Sequence, residues 1–168
     1  MNTDIAWDLN IDRLREALDG AGAFLVARDE AGKANPMTIG WAQVGQIWNR
    51  PTVTVLVRRS RYTYGCLLHS GEFTVSVPAP GRLTEQLTFC GSQSGRDMDK
   101  AQACGLPLER SRTLETPVVG SCALHYECRI LLRRQLSRGD FASPKVLDTY
   151  YKDDDHHMIV TGELLAVY

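Results

Sequence analysis

Three polar stretches of this 168-residue chain carry side chains able to do chemistry. The first, Arg58-Arg59-Ser60-Arg61-Tyr62-Thr63, follows an apolar strand and reads as the start of a helix, with Ser60 as its cap. Free N–H groups and the helix dipole favour an anion there, and the arginines and hydroxyls add charge-assisted donors. Upstream, Asn35-Pro36-Met37-Thr38-Ile39-Gly40-Trp41 sets small residues and amides beside a strand. Together the two stretches suit a flat polar ring joined to a phosphate. The plainer alternative is a capped surface helix with solvated arginines.

The second stretch, Cys90-Gly91-Ser92-Gln93-Ser94-Gly95-Arg96-Asp97-Met98-Asp99-Lys100, is rich enough in Gly, Ser and Asp to read as a loop. Long polar loops in compact domains expose backbone groups to ligands. Cys90 stands at its edge, where a thiol either reaches a ligand or packs as a small apolar residue. The third stretch is Asp153-Asp154-Asp155-His156-His157. Neighbours on an extended chain point to opposite sides, so this run gathers poorly around one metal ion. A solvated turn, with or without one histidine directed into a site, fits better.

The elements that must hold these residues can be read from periodicity. Val53, Val55 and Val57 alternate with Thr52, Thr54 and Leu56, and Phe73, Val75 and Val77 alternate inward from Glu72 to Val77, with Pro78 to Pro80 ending that strand. Ala23 to Ala27 reads as a strand, Asp29 to Lys33 as a turn with Gly32 at positive φ, and Met37 to Ala42 as the partner strand. Further strands are predicted near Val118 and over Ala123 to Leu136 and Met158 to Val167. A polar connection containing Gly139 and Pro144 separates the last two. Helices are predicted from Asn10 or Asp12 to Leu18, from Arg61 to His69 with Gly71 as the stop, and from Leu83 to Phe89. Many short strands and few helices point to an antiparallel barrel rather than a βαβ sheet.

Bulk properties narrow the function. A formal charge of -1, with no Lys/Arg run interleaved with aromatics, disfavours nucleic acid as a partner. No apolar run approaches the ~18 residues of a membrane span, and the polar start reads as no leader, so the expectation is one soluble, cytoplasmic domain over 1–168. Five cysteines without a C-x-x-C pair offer neither a disulfide framework nor a zinc site.

Taken in order, Asn35 to Trp41, Asn49-Arg50-Pro51, Arg61-Tyr62-Thr63-Tyr64, Ser70 to Val75 and Ser94 to Lys100 resemble the flavin reductase-like proteins, closest in look to the flavoredoxins. The resemblance implies an FMN-binding split β-barrel, antiparallel and Greek-key-like, that usually dimerises with the flavin near the subunit interface. It implies that Asn35 and the run Met37, Thr38, Ile39, Gly40, Trp41 and Ala42 face the isoalloxazine. Arg59, Ser60, Tyr62 and Thr63 would hold the phosphate. Cys90, Gly91, Ser94, Gly95, Arg96, Asp97 and Lys100 would close over the phosphate and ribityl chain. Two departures stand out: Trp41 occupies a position that is small or polar in many relatives, and His157 is preceded by Asp155-His156 rather than by Gly-Asp.

On this reading the chain is an FMN-dependent oxidoreductase in which the flavin does the redox chemistry, with NADH or NADPH as candidate electron donor and a redox protein as candidate partner. His157 and Cys90 are its candidate catalytic residues, through proton movement. The alternative is a flavin-binding or sensing module without turnover. No metal is expected.

Overall fold

The computed structural model describes residues 6–168, so the first five residues of the polar start lie outside it. Helix α1 (Ile11–Asp19) precedes strands β1 (Ala23–Arg28), β2 (Ala34–Ile39), β3 (Ala42–Ile47) and β4 (Arg50–Arg58). Then come α2 (Tyr62–His69), β5 (Glu72–Val77), α3 (Thr84–Ser92), α4 (Lys100–Ala103), β6 (Leu108–Glu109) and β7 (Val118–Val119). The chain finishes with β8 (Leu124–Gln135), a 3-10 turn at Arg138–Asp140, α5 (Pro144–Tyr150) and β9 (His157–Val167).

Seven strands form one antiparallel sheet in the order β2-β1-β5-β8-β9-β4-β3. Its two edge strands, β2 and β3, are joined in the chain by Gly40 and Trp41 alone. Edges so tethered force the sheet to curl until they meet at that corner. The result is the split barrel expected, with its seam between β2 and β3. After β4 the chain re-enters at β5, three positions away in the sheet, and this long return is the Greek-key element.

The barrel core takes the inward residues of each strand, including Leu25, Val53, Val55, Val57, Phe73, Val75, Tyr126, Met158 and Val160, with Cys66 and Leu67 of α2 packed against it. Strand β1 does not alternate, because both of its faces are covered. Phe24 and Val26 point the other way, into a second cluster with Leu87 and Cys90 of α3, Ala101, Leu106 and Val119. Phe24 is fully buried there, and truncating it to Ala would cost about 3–5 kcal/mol. Behind β8, the Glu127 carboxylate accepts from the N–H groups of Arg112 and Thr113, both at 2.7 Å, from the Thr113 hydroxyl, and from the Tyr168 hydroxyl at 2.8 Å. This fixes the otherwise irregular segment before β7.

Several expected boundaries move. The partner of β1 runs from Ala34 to Ile39, not from Met37 to Ala42. Pro36 is tolerated within it because β2 is an edge strand, and the chain turns at Gly40. A further strand, β3, follows and closes on β4 through Trp48 and Asn49, at φ 54° and 56°. Ser60 is not a cap: α2 begins at Tyr62 after Arg61, has no side-chain cap bond, and stops at Ser70 rather than Gly71. Cys90, Gly91 and Ser92 complete α3 instead of opening a loop, since the buried Cys90 continues its apolar face. The polar connection between the last two strands carries α5, which starts with Pro144 in its first turn. The expected turn at Gly32 is present, with φ 80°.

Candidate functional site

At the corner where β2 passes into β3, a cleft of about 280 Å³ opens between Met37 to Trp41 on one wall and Leu56, Arg58, Arg61, Gly91 and His157 on the other. A wider hollow of about 630 Å³ among Arg28, His69, Glu72 and Arg129 is lined by none of the predicted site residues. The convergence of predicted residues, not size, marks the smaller cleft. The N–H groups of Gly40 and Trp41 have no acceptor among the described residues. Beyond them, β2 is an edge strand whose outer backbone groups are left unpaired. A methyl group added at Gly40 would meet nothing within 4 Å, so the space in front of this backbone is open. A wall carrying Met37, Ile39 and Trp41, free amides at its corner and arginines opposite fit a planar heteroaromatic ring that bears an anionic group.

Not every predicted donor is free. The Thr38 hydroxyl donates to the Leu87 carbonyl at 2.6 Å, which ties β2 to α3. Ala42 is half-buried against the barrel core and does not line the cleft. Asn35 lies behind the wall, where its Nδ2 donates to Thr63 Oγ1 at 2.8 Å. Thr63 is buried at 1% exposure and Lys100 at 3%, with Lys100 Nζ donating to the Cys90 carbonyl at 3.2 Å. Burial also holds the Lys100 ammonium below its ordinary pKa. These two residues, expected to reach a phosphate, instead brace the wall from inside.

Ser60, also expected as a phosphate donor, is engaged in another way. Its N–H and hydroxyl donate to the two carboxylate oxygens of Asp155 at 3.2 and 2.6 Å. Arg58 strengthens the same junction by donating to the carbonyls of Asp155 and Tyr150 at 2.9 and 2.7 Å. The cationic face that remains is made by arginines. Arg59 is exposed, with no protein partner among the described residues. Arg61 donates to the Gly91 carbonyl, and Arg96 donates to the Ser60 carbonyl at 3.3 Å while lying over the Tyr62 ring. The N–H groups of Tyr62 and Thr63, the first two of α2, find no protein acceptor among the described residues. An anion fits against that helix start.

Residues 93–99 fold over this face as a turn rather than as an open excursion. Ser94 Oγ accepts from the Arg96 N–H, and Asp97 is exposed. Gly95 is pressed so closely on Asn35 and Tyr62 that a Cβ would lie 2.1 Å from Asn35 Oδ1. Tyr62 in turn donates to Asp29 at 3.0 Å. The expectation of a reactive Cys90 does not hold. Its side chain is fully buried among the second cluster, where burial and the neighbouring Cys104 push the thiol up to about 12.

His157 stands at the cleft with 7% exposure. Its Nδ1 lies 2.8 Å from the Tyr151 hydroxyl, and its ring packs 5.2 Å from Trp41, which itself meets Tyr150 edge-on at 5.1 Å. Burial, with help from Arg58 and His156, lowers its pKa to about 4, so the imidazole is neutral at neutral pH. Tyr150 and Tyr151 were not foreseen, and Asp155 was read only as part of a solvated turn. The available signal for Tyr151 was its place four residues after Leu147, at the end of a short helix that begins at Pro144.

The chain belongs to the flavin reductase-like domain family, whose model matches residues 20–168. A curated relative from Archaeoglobus fulgidus, itself uncharacterized, is 30% identical over 135 residues, 80% of this chain and 65% of that protein. Among solved structures, the flavoredoxin of Methanosarcina acetivorans is 28% identical with a TM-score of 0.66, over 87% of this chain and 66% of that one. An FMN-binding protein from Thermus thermophilus, solved with 1-cyclohex-2-enone, is 26% identical with a TM-score of 0.66, over 89% and 70%. The chain thus spans just under two thirds of the first two relatives. No helix among the described residues is long and apolar enough to cross a membrane.

Proposed function

We propose that the chain is an FMN-binding oxidoreductase domain, with its ring site at the β2–β3 corner and its phosphate site at the start of α2. The observation that carries this is the single cleft combining unbonded Gly40 and Trp41 amides with the arginine-lined start of α2. FMN, when bound, would supply the capacity to take and pass on electrons. Met37 and Ile39 would form an apolar wall for the ring, and the Gly40 and Trp41 amides would donate to its polar edge. Arg59, Arg61, Arg96 and the free N–H groups of α2 would hold the phosphate. Trp41 and Tyr150 would restrict water and the approach of a second ring. NADH or NADPH is the proposed donor. A homodimer in the cytoplasm, serving a redox partner protein, is the proposed setting.

The test is a fluorescence titration of apoprotein with FMN and with riboflavin. Hydrogen bonds to charged groups contribute roughly 1.5–3 kcal/mol each, so FMN should bind at least about a hundredfold more tightly. Arg96→Ala and Arg59→Ala should each weaken FMN about tenfold and leave riboflavin unchanged. Equal affinities for the two flavins in the unaltered protein would remove the phosphate site. The edge-on Trp41–Tyr150 pair favours a second reading, a flavin-holding module without turnover. Steady-state oxidation of NADH or NADPH by the flavin-loaded protein separates the two readings.

A further inference from the structure

The imidazole of His157 has two nitrogens in different surroundings. Nδ1 faces the Tyr151 hydroxyl, which is buried with its residue at 3% exposure and has no other partner among the described residues. Nε2 has no hydrogen bond among the described residues and is not among the fully buried atoms left without partners, and His157 lines the cleft, so this nitrogen is the one available to it. The adjacent His156 is the contrast. Its Nε2 is buried and unpartnered inside the protein.

A buried phenol must place its proton on an acceptor. If Nδ1 carried hydrogen and donated to the tyrosine oxygen, the Tyr151 proton would have nowhere to go. The reverse arrangement satisfies both groups: Tyr151 donates to Nδ1, and the ring proton sits on Nε2. We infer that Tyr151 is a positioning residue which fixes His157 in its Nε2–H tautomer, so that the cleft receives a neutral, aimed hydrogen-bond donor. Trp41 at 5.2 Å and Tyr151, edge-on at 5.5 Å, hold the ring against rotation. The Tyr151 ring is itself held by His156, stacked at 5.0 Å, and by Phe141, also at 5.0 Å.

The chemical partner of such a donor is a carbonyl oxygen or an aromatic nitrogen on a flat ring in the cleft. That partner rests on the flavin reading, whereas the tautomer does not. Arg58, Asp155 and His156 are the charged or titratable neighbours that face His157 besides Tyr151. The ring stays neutral through the physiological range, so it donates without acting as a cation.

The test is long-range nitrogen NMR of the histidine rings in the full chain without added ligand. The expected result is a protonated Nε2 on His157 in the unaltered protein and a mixed tautomer in Tyr151→Phe, which keeps the stacked ring and loses only the hydroxyl. A proton on Nδ1 in the unaltered protein overturns the inference, and this arm does not depend on how any variant folds. An unchanged tautomer in a folded Tyr151→Phe also overturns it. With flavin added, Tyr151→Phe should weaken FMN and riboflavin equally, by about fivefold, because the donor acts at the ring and not at the phosphate. FMN that binds without shifting the His157 Nε2 signal would overturn the donor role. Failure of FMN to bind at all would instead remove the flavin reading and leave the tautomer result standing.

Discussion

Glu127 and His157 are buried titratable side chains on neighbouring strands, each bonded to a tyrosine hydroxyl, and their surroundings treat them in opposite ways. Burial drives the Glu127 carboxyl upward, but donors from Thr113, Arg112 and Tyr168 outweigh it and hold the pKa below its ordinary value. That carboxylate has no acceptor capacity to spare for a ligand. His157 has one nitrogen satisfied and one turned to open space. Buried polarity that is saturated from within the chain maintains a fold. Buried polarity left half-satisfied beside a cleft is available to something else.

The largest test of this contrast is Glu127→Ala, which strips the acceptor from four donors on three residues at once. With about 1–3 kcal/mol for each orphaned donor, a loss of about 4 kcal/mol or more is expected in urea denaturation. A loss under about 1 kcal/mol would break the comparison. Acid denaturation comes next. The folded pKa of His157, about 4, lies below the ordinary 6.5, so the unfolded chain binds the extra proton and stability falls as pH drops through that interval. At about 1.4 kcal/mol per unit the fall reaches roughly 3 kcal/mol, and His157→Gln should flatten it. The contribution of Glu127 has the same sign but a lower window. It is present above the ordinary carboxylate value of 4.5 and lost as pH falls through its depressed folded value, so the two residues should separate along the acid limb.

A smaller effect sharpens the distinction further. His156 has an unpartnered nitrogen that faces protein rather than cleft, so His156→Phe, which keeps the stack on Tyr151, should raise stability by about 1 kcal/mol. A melt showing destabilisation would mean that nitrogen is satisfied after all. The smallest expected change is Glu163→Gln at the rim, where the pair with Arg50 is partly exposed. About 0.5 kcal/mol should be lost, and less at high salt.

The strands with strong periodicity were legible because their pattern is imposed by a core on one face: β4, β5, β8 and β9 all lie within a residue or two of expectation. The continuous apolar run of β1 was equally plain. Strand β3 was not, since Gln43, Gly45 and Gln46 carry little strand preference and its residues are mostly exposed or half-buried. The cleft is lined from the two stretches that local chemistry singles out, by Met37 to Trp41 and by Arg58 and Arg61. Its donor set was not. Ser60 meets a carboxylate 95 positions away, and the burial of Thr63 and Lys100 depends on α3 and α4 packing behind β2, which no local pattern encodes. Tyr151 differs: its partner His157 is only six residues on, but the turn between α5 and β9 that brings the two together is not set by any strong local pattern.

The place of β9 in the sheet bears on how the chain reaches this state. The β1–β2 and β3–β4 pairs are hairpins that can form early from local contacts. The halves β2-β1-β5-β8 and β4-β3 have no strand between them until β9 arrives, and it pairs Glu163 with Thr52 and His157 with Arg58 across long spans of chain. Closing loops of that length precedes any reward from the pairing, so docking of β9 should be the slow step, on the millisecond-to-second scale of non-local β topologies. Until then the edges of both β4 and β8 lie open. In the refolding chain these two edges, rather than β2 or β3, are where a second copy would pair wrongly.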